Sequence, residues 1–194
     1  MNRRSAPPRQ VRIIGGQWKR TPLAVVDGEG LRPTPDRVRE TLFNWLDHLL
    51  DRHWSAQRCL DLFAGSGALG FEAASRGASQ VLMVESLPAA CKALQITRDK
   101  LDAAQVEIRR ANALSELDRL SGPFELIFLD PPYGLQLLPT LLPACQRLLA
   151  PGGLVYAESD APFAAEPLAD WLAGWQVVRE GKAGAVHFAL ISRS

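Results

Sequence analysis

Residues 124–133 have the sequence FELIFLDPPY, an apolar run that ends in an acid, two prolines and a tyrosine. The lack of polar alternation predicts that the first six residues form a strand buried on both faces of a parallel sheet. Asp130 then lies at the carboxyl end of that strand, where open α/β sheets bind their ligands. Pro131 and Pro132 exclude a helix and leave carbonyl acceptors without N–H donors. With Tyr133, this turn suits a flat ring that carries an amino group, although a strand-ending turn with a surface tyrosine is the alternative.

Strands and helices alternate on both sides of this stretch, from residue 58 onward. The predicted strands are 59–63, 80–85, 106–108, 124–129 and 154–158, and the predicted helices are 67–76, 87–101 and 137–149. Two further strands, 175–179 and 185–191, are expected to form a closing antiparallel pair. The alternation predicts a Rossmann-like α/β fold in which a mostly parallel, doubly wound sheet of seven strands ends in an antiparallel strand.

The first strand leads into a glycine-rich loop, DLFAGSGALG at residues 61–70. Gly65, Gly67 and Gly70 satisfy the pattern G-x-G-x-x-G, and Glu85 ends the next strand twenty residues after Gly65. On spacing alone, this arrangement predicts a dinucleotide site in which Glu85 binds ribose hydroxyls. An NAD-dependent oxidoreductase is therefore one hypothesis.

Asp61 favours a different adenosine cofactor, because an acid just before the loop repels a pyrophosphate and attracts an ammonium group. S-adenosylmethionine needs a carboxylate near its amino acid, an acid for its ribose diol and a polar group for its adenine. Asp61, Glu85 and Asn112 occur in that order, each after a separate predicted strand. The predicted cofactor-binding residues are Asp61, Phe63, Gly65, Gly67, Glu85, Asn112, Ala113 and Asp130.

The amino-terminal part of the chain is basic. Residues 1–40 hold nine Lys and Arg residues against four acids, a balance of +5 that leaves −4 for the rest. This asymmetry favours a nucleic-acid-binding end on a near-neutral body, and a solvated basic tail is the alternative. We predict a disordered basic tail over residues 1–10, a hairpin and helix over 11–57, and the main domain over 58–194.

The predicted hairpin lies between residues 11 and 26, around Gly15-Gly16. Its strands are expected to carry Arg12, Trp18, Lys19 and Arg20. A helix is expected to run through about Leu50, with Thr34 as its N-cap and Pro35 in its first turn. Its apolar stripe consists of Val38, Leu42, Trp45, Leu46 and Leu49, with Arg37 on another side.

Other classes of protein are disfavoured by what the sequence lacks. It has no stretch of about 18 apolar residues, so we expect no membrane span, and residues 1–8 lack the apolar core of a signal peptide. Cys59, Cys91 and Cys145 are odd in number and lack metal-ligand spacing, which favours reduced thiols, no metal and a cytoplasmic location. We expect a monomer.

Two motifs carry a resemblance to a known family. Residues 58–191 resemble a class I S-adenosylmethionine-dependent methyltransferase, and DPPY at 130–133 resembles the signature of enzymes that methylate planar amino nitrogens. With LRPTPDRVRETLFNWL at 31–46, the whole chain is similar to the bacterial 16S rRNA (guanine(966)-N(2))-methyltransferase family. Asn112 departs from the broad class, in which many members have Asp at this position, although an amide can still accept from the adenine amino group.

The resemblance implies that the chain methylates the exocyclic N2 of a guanine in 16S rRNA of the small ribosomal subunit. The implied catalytic residues are Asp130, Pro131, Pro132 and Tyr133. The residues expected to contact RNA are Arg3, Arg4, Arg9, Arg12, Trp18, Lys19, Arg20, Arg32 and Arg37. Trp18 has an alternative interpretation, which is that it covers a small hydrophobic cluster.

Three competing functions follow from the same motifs. A DNA or RNA adenine-N6 methyltransferase shares the DPPY motif, but the DNA enzyme needs room for a separate target-recognition domain, which this chain lacks. Asp61 and Asp130 both count against an NAD-dependent oxidoreductase. The complete set of cofactor residues counts against a non-catalytic RNA-binding module.

Overall fold

A computed structural model of the protein describes residues 11–26, 35–132, 136–163 and 170–194. Five of the predicted site residues lie outside these ranges, namely Arg3, Arg4, Arg9, Arg32 and Tyr133. Thr34, the expected N-cap of the first helix, lies outside them as well.

Strands and helices alternate through the described residues as the sequence predicts. The strands are β1 (Val11–Arg12), β2 (Pro22–Leu23), β3 (Arg58–Asp61), β4 (Gln80–Glu85), β5 (Val106–Arg110), β6 (Phe124–Leu129), β7 (Leu149–Ser159), β8 (Trp175–Ala183) and β9 (Val186–Arg193). The α-helices are α1 (Asp36–Leu49), α2 (Ala68–Arg76), α3 (Pro88–Lys100), α4 (Ala113–Leu117) and α5 (Leu138–Leu148). Short 3₁₀ turns occupy Trp54–Ala56 and Asp170–Leu172.

The main sheet has seven strands in the order β5-β4-β3-β6-β7-β9-β8. Strands β3 to β7 are mutually parallel, and β9 runs antiparallel to both β7 and β8. The chain moves outward from β3 to β5 and then returns to place β6 on the other side of β3. The predicted fold class is therefore confirmed, and the reversal of strand order lies between the carboxyl ends of β3 and β6, where such folds bind ligands.

Both faces of the sheet are buried, because strand side chains alternate between two apolar clusters. Phe128 and Tyr156 face the first cluster, which includes the hairpin, α1, α2 and α3. Ile127 and Val155 face the second cluster, which includes α4 and α5. This burial explains the four consecutive apolar residues at 126–129 in β6.

Helix α1 buries a wider face than its apolar stripe predicts. Arg39 and Phe43 are fully buried beside the expected stripe. The Arg39 guanidinium is held by two hydrogen bonds, to the Arg12 carbonyl oxygen (2.9 Å) and to Asp36 Oδ1 (2.6 Å). One partner comes from the hairpin and the other lies one turn earlier on α1, and together they allow burial of an arginine outside the predicted apolar stripe.

The hairpin is present, but the prediction that its strands carry Trp18, Lys19 and Arg20 is wrong. β1 pairs with β2 in the register Val11↔Leu23, and these three residues lie in the turn between the two strands.

Contacts with the end of α2 keep this turn from being extended. The backbone N–H of Gln17 donates to the Ser75 carbonyl oxygen (2.8 Å), and that of Trp18 donates to Ser75 Oγ (2.9 Å). Gly16 has φ +71°, and a Cβ there would lie 2.0 Å from the Ser75 carbonyl oxygen. Only glycine therefore permits this close approach.

A buried carboxylate completes the attachment of the hairpin. Glu72 of α2 is fully buried and accepts the backbone N–H groups of Ile14 (2.6 Å) and Gly15 (2.8 Å). It also pairs with Arg76, whose guanidinium reaches Asp47 of α1 and lies 5.0 Å from the centre of the Phe43 ring. Hairpin, α1 and α2 therefore form one packed unit.

Candidate active site

Three carboxylates meet at the carboxyl edge of the parallel sheet. Asp61 ends β3, Glu85 ends β4 and Asp130 directly follows β6. The register places Asp61 opposite Met83 on one side and Phe128 on the other. Since side chains alternate along a strand, all three carboxylates lie on the sheet face that carries α2.

The glycine loop turns tightly over this edge. Gly65 and Gly67 have positive φ angles of +52° and +77°. A Cβ at Gly67 would lie 2.5 Å from Phe71 Cδ2, and a Cβ at Gly70 would lie 2.5 Å from Met83 Cε. The loop therefore requires glycine for both conformation and packing. Phe63 is half-buried within it, against the second apolar cluster.

Asp61 is almost completely buried, with 1% of its surface exposed. Its Oδ2 accepts the backbone N–H of Gly70 (3.0 Å). The pKa of Asp61 is raised to about 7, mainly because burial penalises the charged form. The charges of Asp130 and Glu85 contribute to this rise, and the hydrogen bonds from Gly70 and Phe63 oppose it. The site therefore holds excess negative potential that a cation would relieve.

Glu85 is also buried, and both of its carboxylate oxygens accept backbone hydrogen bonds. Oε2 accepts from Gly65 (2.8 Å) and Oε1 from Leu87 (2.7 Å). These bonds fix the carboxylate against the glycine loop. That position agrees with the expected role of an acid beside a ribose diol.

Asn112 is the N-cap of α4, after β5. Its Oδ1 accepts the backbone N–H groups of Leu114 (3.0 Å) and Ser115 (3.4 Å). Ala113 follows as the first residue of the helix, where backbone N–H groups have no partner within the helix. These capping hydrogen bonds account for an Asn side chain at this position. Contacts of Asn112 and Ala113 with adenine remain predictions.

The turn after β6 is accessible. Asp130 and Pro131 are half-buried and Pro132 is exposed. Asp130 is close enough to Asp61 for its charge to contribute to the raised pKa of that residue. The structure thus brings the candidate catalytic acid and the candidate cofactor acids to the same sheet edge.

The candidate RNA-binding residues that the structure describes lie on the hairpin and the start of α1. Arg12, Lys19, Arg20 and Arg37 are exposed. Arg12 Nε lies 3.7 Å from Asp36, so its charge is partly offset. Trp18 is half-buried and packs against the first apolar cluster, which supports the interpretation that it covers hydrophobic residues.

Two features of the site region have weak signals in the sequence. The attachment of the hairpin to α2 depends on Glu72 and Ser75, which are ordinary helix residues by pattern. The pair Gly15-Gly16 is the only local sign of that close approach. The second feature is Glu158 at the end of β7. It is buried and accepts a hydrogen bond from the Tyr156 hydroxyl (2.6 Å), and the sequence motifs assign it no role.

The chemistry of this edge fits S-adenosylmethionine. The cofactor carries an ammonium group and a sulfonium, and the crowded carboxylates of Asp61, Glu85 and Asp130 favour positive charge. An NAD pyrophosphate would bring further negative charge to the same place.

Among the described residues, no helix is long and apolar enough to cross a membrane. In the same part of the chain, no group of three or more His, Cys, Asp and Glu side chains is arranged to hold a metal ion.

Comparisons with known proteins agree with this site. Residues 11–192 match the family described as "Conserved hypothetical protein 95". Ribosomal RNA small subunit methyltransferase D of Escherichia coli K12 is 40% identical over 186 residues, which are 95% of this chain and 90% of that protein. The protein of the same name from Haemophilus influenzae is 37% identical over 190 residues, 93% of each chain.

A solved structure has the same fold. The Escherichia coli protein yhhF, described as a methyltransferase, superposes with a TM-score of 0.80 at 38% identity and covers 95% of this chain and 98% of its own. The predicted fold, enzyme class and cofactor are thereby confirmed. The chain belongs to the family described as Conserved hypothetical protein 95, and it is a class I S-adenosylmethionine-dependent methyltransferase.

Proposed function

We propose that this protein methylates the exocyclic N2 amino group of a guanine in 16S rRNA of the small ribosomal subunit. The observation that carries the proposal is the position of Asp130, Pro131 and Pro132, at the same sheet edge as Asp61 and Glu85. The relatives named ribosomal RNA small subunit methyltransferase D support rRNA as the substrate. The match of residues 31–46 and 130–133 to the guanine-N2 family supports the choice of atom.

Asp130 is the residue that acts on the amine. The N2 atom of guanine is a weak nucleophile because its lone pair is conjugated with the ring. The Asp130 carboxylate accepts one N–H hydrogen and the Pro131 carbonyl oxygen accepts the other, which holds the nitrogen in line with the incoming methyl group. S-adenosylmethionine, when bound, supplies that methyl group and its positive charge.

The two acceptors stabilise the transition state more than the ground state. As the N–C bond forms, positive charge develops on nitrogen, and both hydrogen bonds to Asp130 and Pro131 strengthen. The proton leaves the nitrogen after methyl transfer, so prior deprotonation is unnecessary. The rest of the acceleration comes from aligning two bound reactants.

Contacts with RNA are assigned to the hairpin and α1. Arg12, Lys19, Arg20 and Arg37 are exposed, which supports a role in binding phosphates. The target base must be unpaired or flipped out of its helix to reach Asp130, and Tyr133 is the candidate to stack on it. We propose that the protein acts as a monomer in the cytoplasm.

The proposal is tested by nucleoside mass spectrometry of 16S rRNA from cells that lack the gene. N2-methylguanosine at one position should be missing, and the wild-type gene should restore it. Asp130→Ala should reduce methylation of small subunits in vitro by about a hundred- to a thousandfold, the usual cost of one acceptor aimed at developing charge. Asp130→Asn keeps an oxygen acceptor without the charge, so it should fall between alanine and wild type.

Asp99→Ala is the matched control, because this aspartate is exposed on α3 and pairs with its neighbour Arg98. It should methylate at the wild-type rate. If the wild-type gene restored N6-methyladenosine instead of N2-methylguanosine, the substrate of the enzyme would be adenine. A folded Asp130→Ala protein with near-normal turnover would show that Asp130 is not the partner of the amine.

A further inference from the structure

A fourth carboxylate lies beside Asp130 on the next strand of the sheet. Strands β6 and β7 are parallel, with Phe128 opposite Tyr156 and Leu129 opposite Ala157. Asp130 and Glu158 are each one residue further along. Phe128 and Tyr156 face the first apolar cluster, and so by alternation do Asp130 and Glu158. Neighbouring strands are separated by about 4.8 Å, so the two side chains flank the same small space.

The position of Glu158 is fixed by the sheet beneath it. The hydroxyl group of Tyr156 donates to Glu158 Oε1 at 2.6 Å. The Tyr156 ring is fully buried, with its centre 6.4 Å from that of Phe128 and 6.5 Å from that of Phe188. Because this ring cannot move without disturbing the core, its hydroxyl holds the carboxylate in one place. A carboxylate has about four acceptor sites and can accept from several donors at once.

The chemistry of guanine matches two adjacent carboxylates. Its N2 amino group and its N1–H group are neighbouring donors on one edge of the base, whereas adenine has an acceptor at N1. A hydrogen bond from N1–H to a carboxylate is charge-assisted and therefore strong. Asp130 alone can bind an exocyclic amino group, but it does not distinguish guanine from other bases that have one.

We infer that Glu158 is a specificity-determining residue, which accepts the N1–H of the target guanine while Asp130 and Pro131 accept the N2 hydrogens. This inference rests on the proposed function. Tyr156 acts through Glu158 and is a positioning residue. A purely structural Glu158 that only satisfies Tyr156 would support folding and have no effect on the choice of base.

The test compares two substrates that both carry the amino group. The mapped target guanine of 16S rRNA is replaced by 2-aminopurine, which retains the exocyclic amine and has no hydrogen on N1. Small subunits are reconstituted with each RNA, and the ratio of kcat/KM for guanine to that for 2-aminopurine is measured. Wild type should prefer guanine by about 10- to 100-fold or more, since a buried acceptor loses its donor in the analogue.

Glu158→Gln should lower this ratio by about tenfold or more. A glutamine amide can accept from guanine N1–H or donate to the bare N1 of 2-aminopurine, so the variant gains relative activity on the analogue. Its affinity for S-adenosylhomocysteine should stay at the wild-type value. Glu107→Gln, in which an exposed β5 carboxylate is changed in the same way, is the matched control and should keep the wild-type ratio.

A ratio in Glu158→Gln equal to those of wild type and Glu107→Gln would overturn the inference and leave the proposed function standing. If Glu158→Gln fails to fold, the same ratio is measured for Tyr156→Phe instead. That variant keeps the carboxylate and releases it from the hydroxyl, so its ratio should fall severalfold, and an unchanged ratio would again overturn the inference. A wild-type protein that methylates no guanine N2 in RNA would remove the proposed function, and this inference with it.

Discussion

Replacing Asp61 with asparagine should stabilise the ligand-free protein at neutral and alkaline pH. Asp61 is buried, and its pKa is raised from 3.8 to about 7, first by loss of hydration and then by the charges of Asp130 and Glu85. Asparagine carries no charge, and its side-chain oxygen can still accept the backbone N–H of Gly70. The substitution thus removes the cost of the charge and keeps the hydrogen bond.

The magnitude and its pH window follow from proton linkage. Between pH 4 and 7 the folded protein holds a proton on Asp61 that the unfolded chain has released, so the free energy of unfolding falls as pH rises. The rise in pKa from 3.8 to about 7 corresponds to ~4 kcal/mol, lost fully above pH 7 and not at all below pH 4. Asp61→Asn should therefore equal wild type near pH 4 and exceed it by up to ~4 kcal/mol at pH 8.

Urea unfolding of both proteins from pH 4 to 8.5 measures this difference directly, since other titrating groups cancel between them. S-adenosylhomocysteine should reverse the order at pH 8, because its ammonium group compensates the Asp61 charge in wild type only. Its affinity for wild type should rise with pH through about 7, with a proton released on binding, while that of Asp61→Asn stays level. A difference in unfolding free energy that is the same at every pH would refute the idea that Asp61 titrates at this edge.

Two further predictions concern the cofactor and the RNA. Glu85→Ala should weaken S-adenosylhomocysteine binding by ~1–3 kcal/mol in calorimetry, the cost of leaving ligand hydroxyls and the Gly65 N–H unpaired, and NAD should show no binding to wild type. Lys19→Ala and Arg20→Ala should each reduce the slope of log affinity for RNA against log salt by ~0.7–1 if the side chain contacts a phosphate, with cofactor affinity unchanged. A salt slope equal to that of wild type would place these two side chains outside the RNA interface.

The parts of the fold that could be predicted are those set by local pattern. Strands β4 and β6 have the predicted bounds, because each contains four consecutive apolar residues, 81–84 and 126–129, too few for a buried helix. The strand predicted at 154–158 begins earlier, at Leu149, because Leu149 pairs with Phe124 across a bulge that only the folded sheet creates.

Contacts between elements that are distant in sequence explain the features that the sequence did not predict. Arg39 is a charged residue by sequence and a core residue in the structure, because the fold brings the Arg12 carbonyl oxygen to its guanidinium, which also pairs with Asp36 one turn earlier on α1. The turn that carries Lys19 and Arg20 is shaped by Ser75, more than fifty residues away. The acids at the sheet edge were predictable because each lies at the carboxyl end of a strand. The closeness of these carboxylates to one another could not be predicted, because it depends on the order of the strands in the sheet.

The attachment of the hairpin to Glu72 and Ser75 has a consequence for synthesis of the chain. Residues 14–18 leave the ribosome well before their hydrogen-bond partners, which lie 57 to 60 positions later. Until α2 has been made, the hairpin can form only its own short ladder of two residue pairs. Contacts this distant in sequence slow folding, because a long loop must close before they stabilise the chain. The basic segment therefore stays exposed on the translating ribosome, close to ribosomal RNA, until α2 has been made.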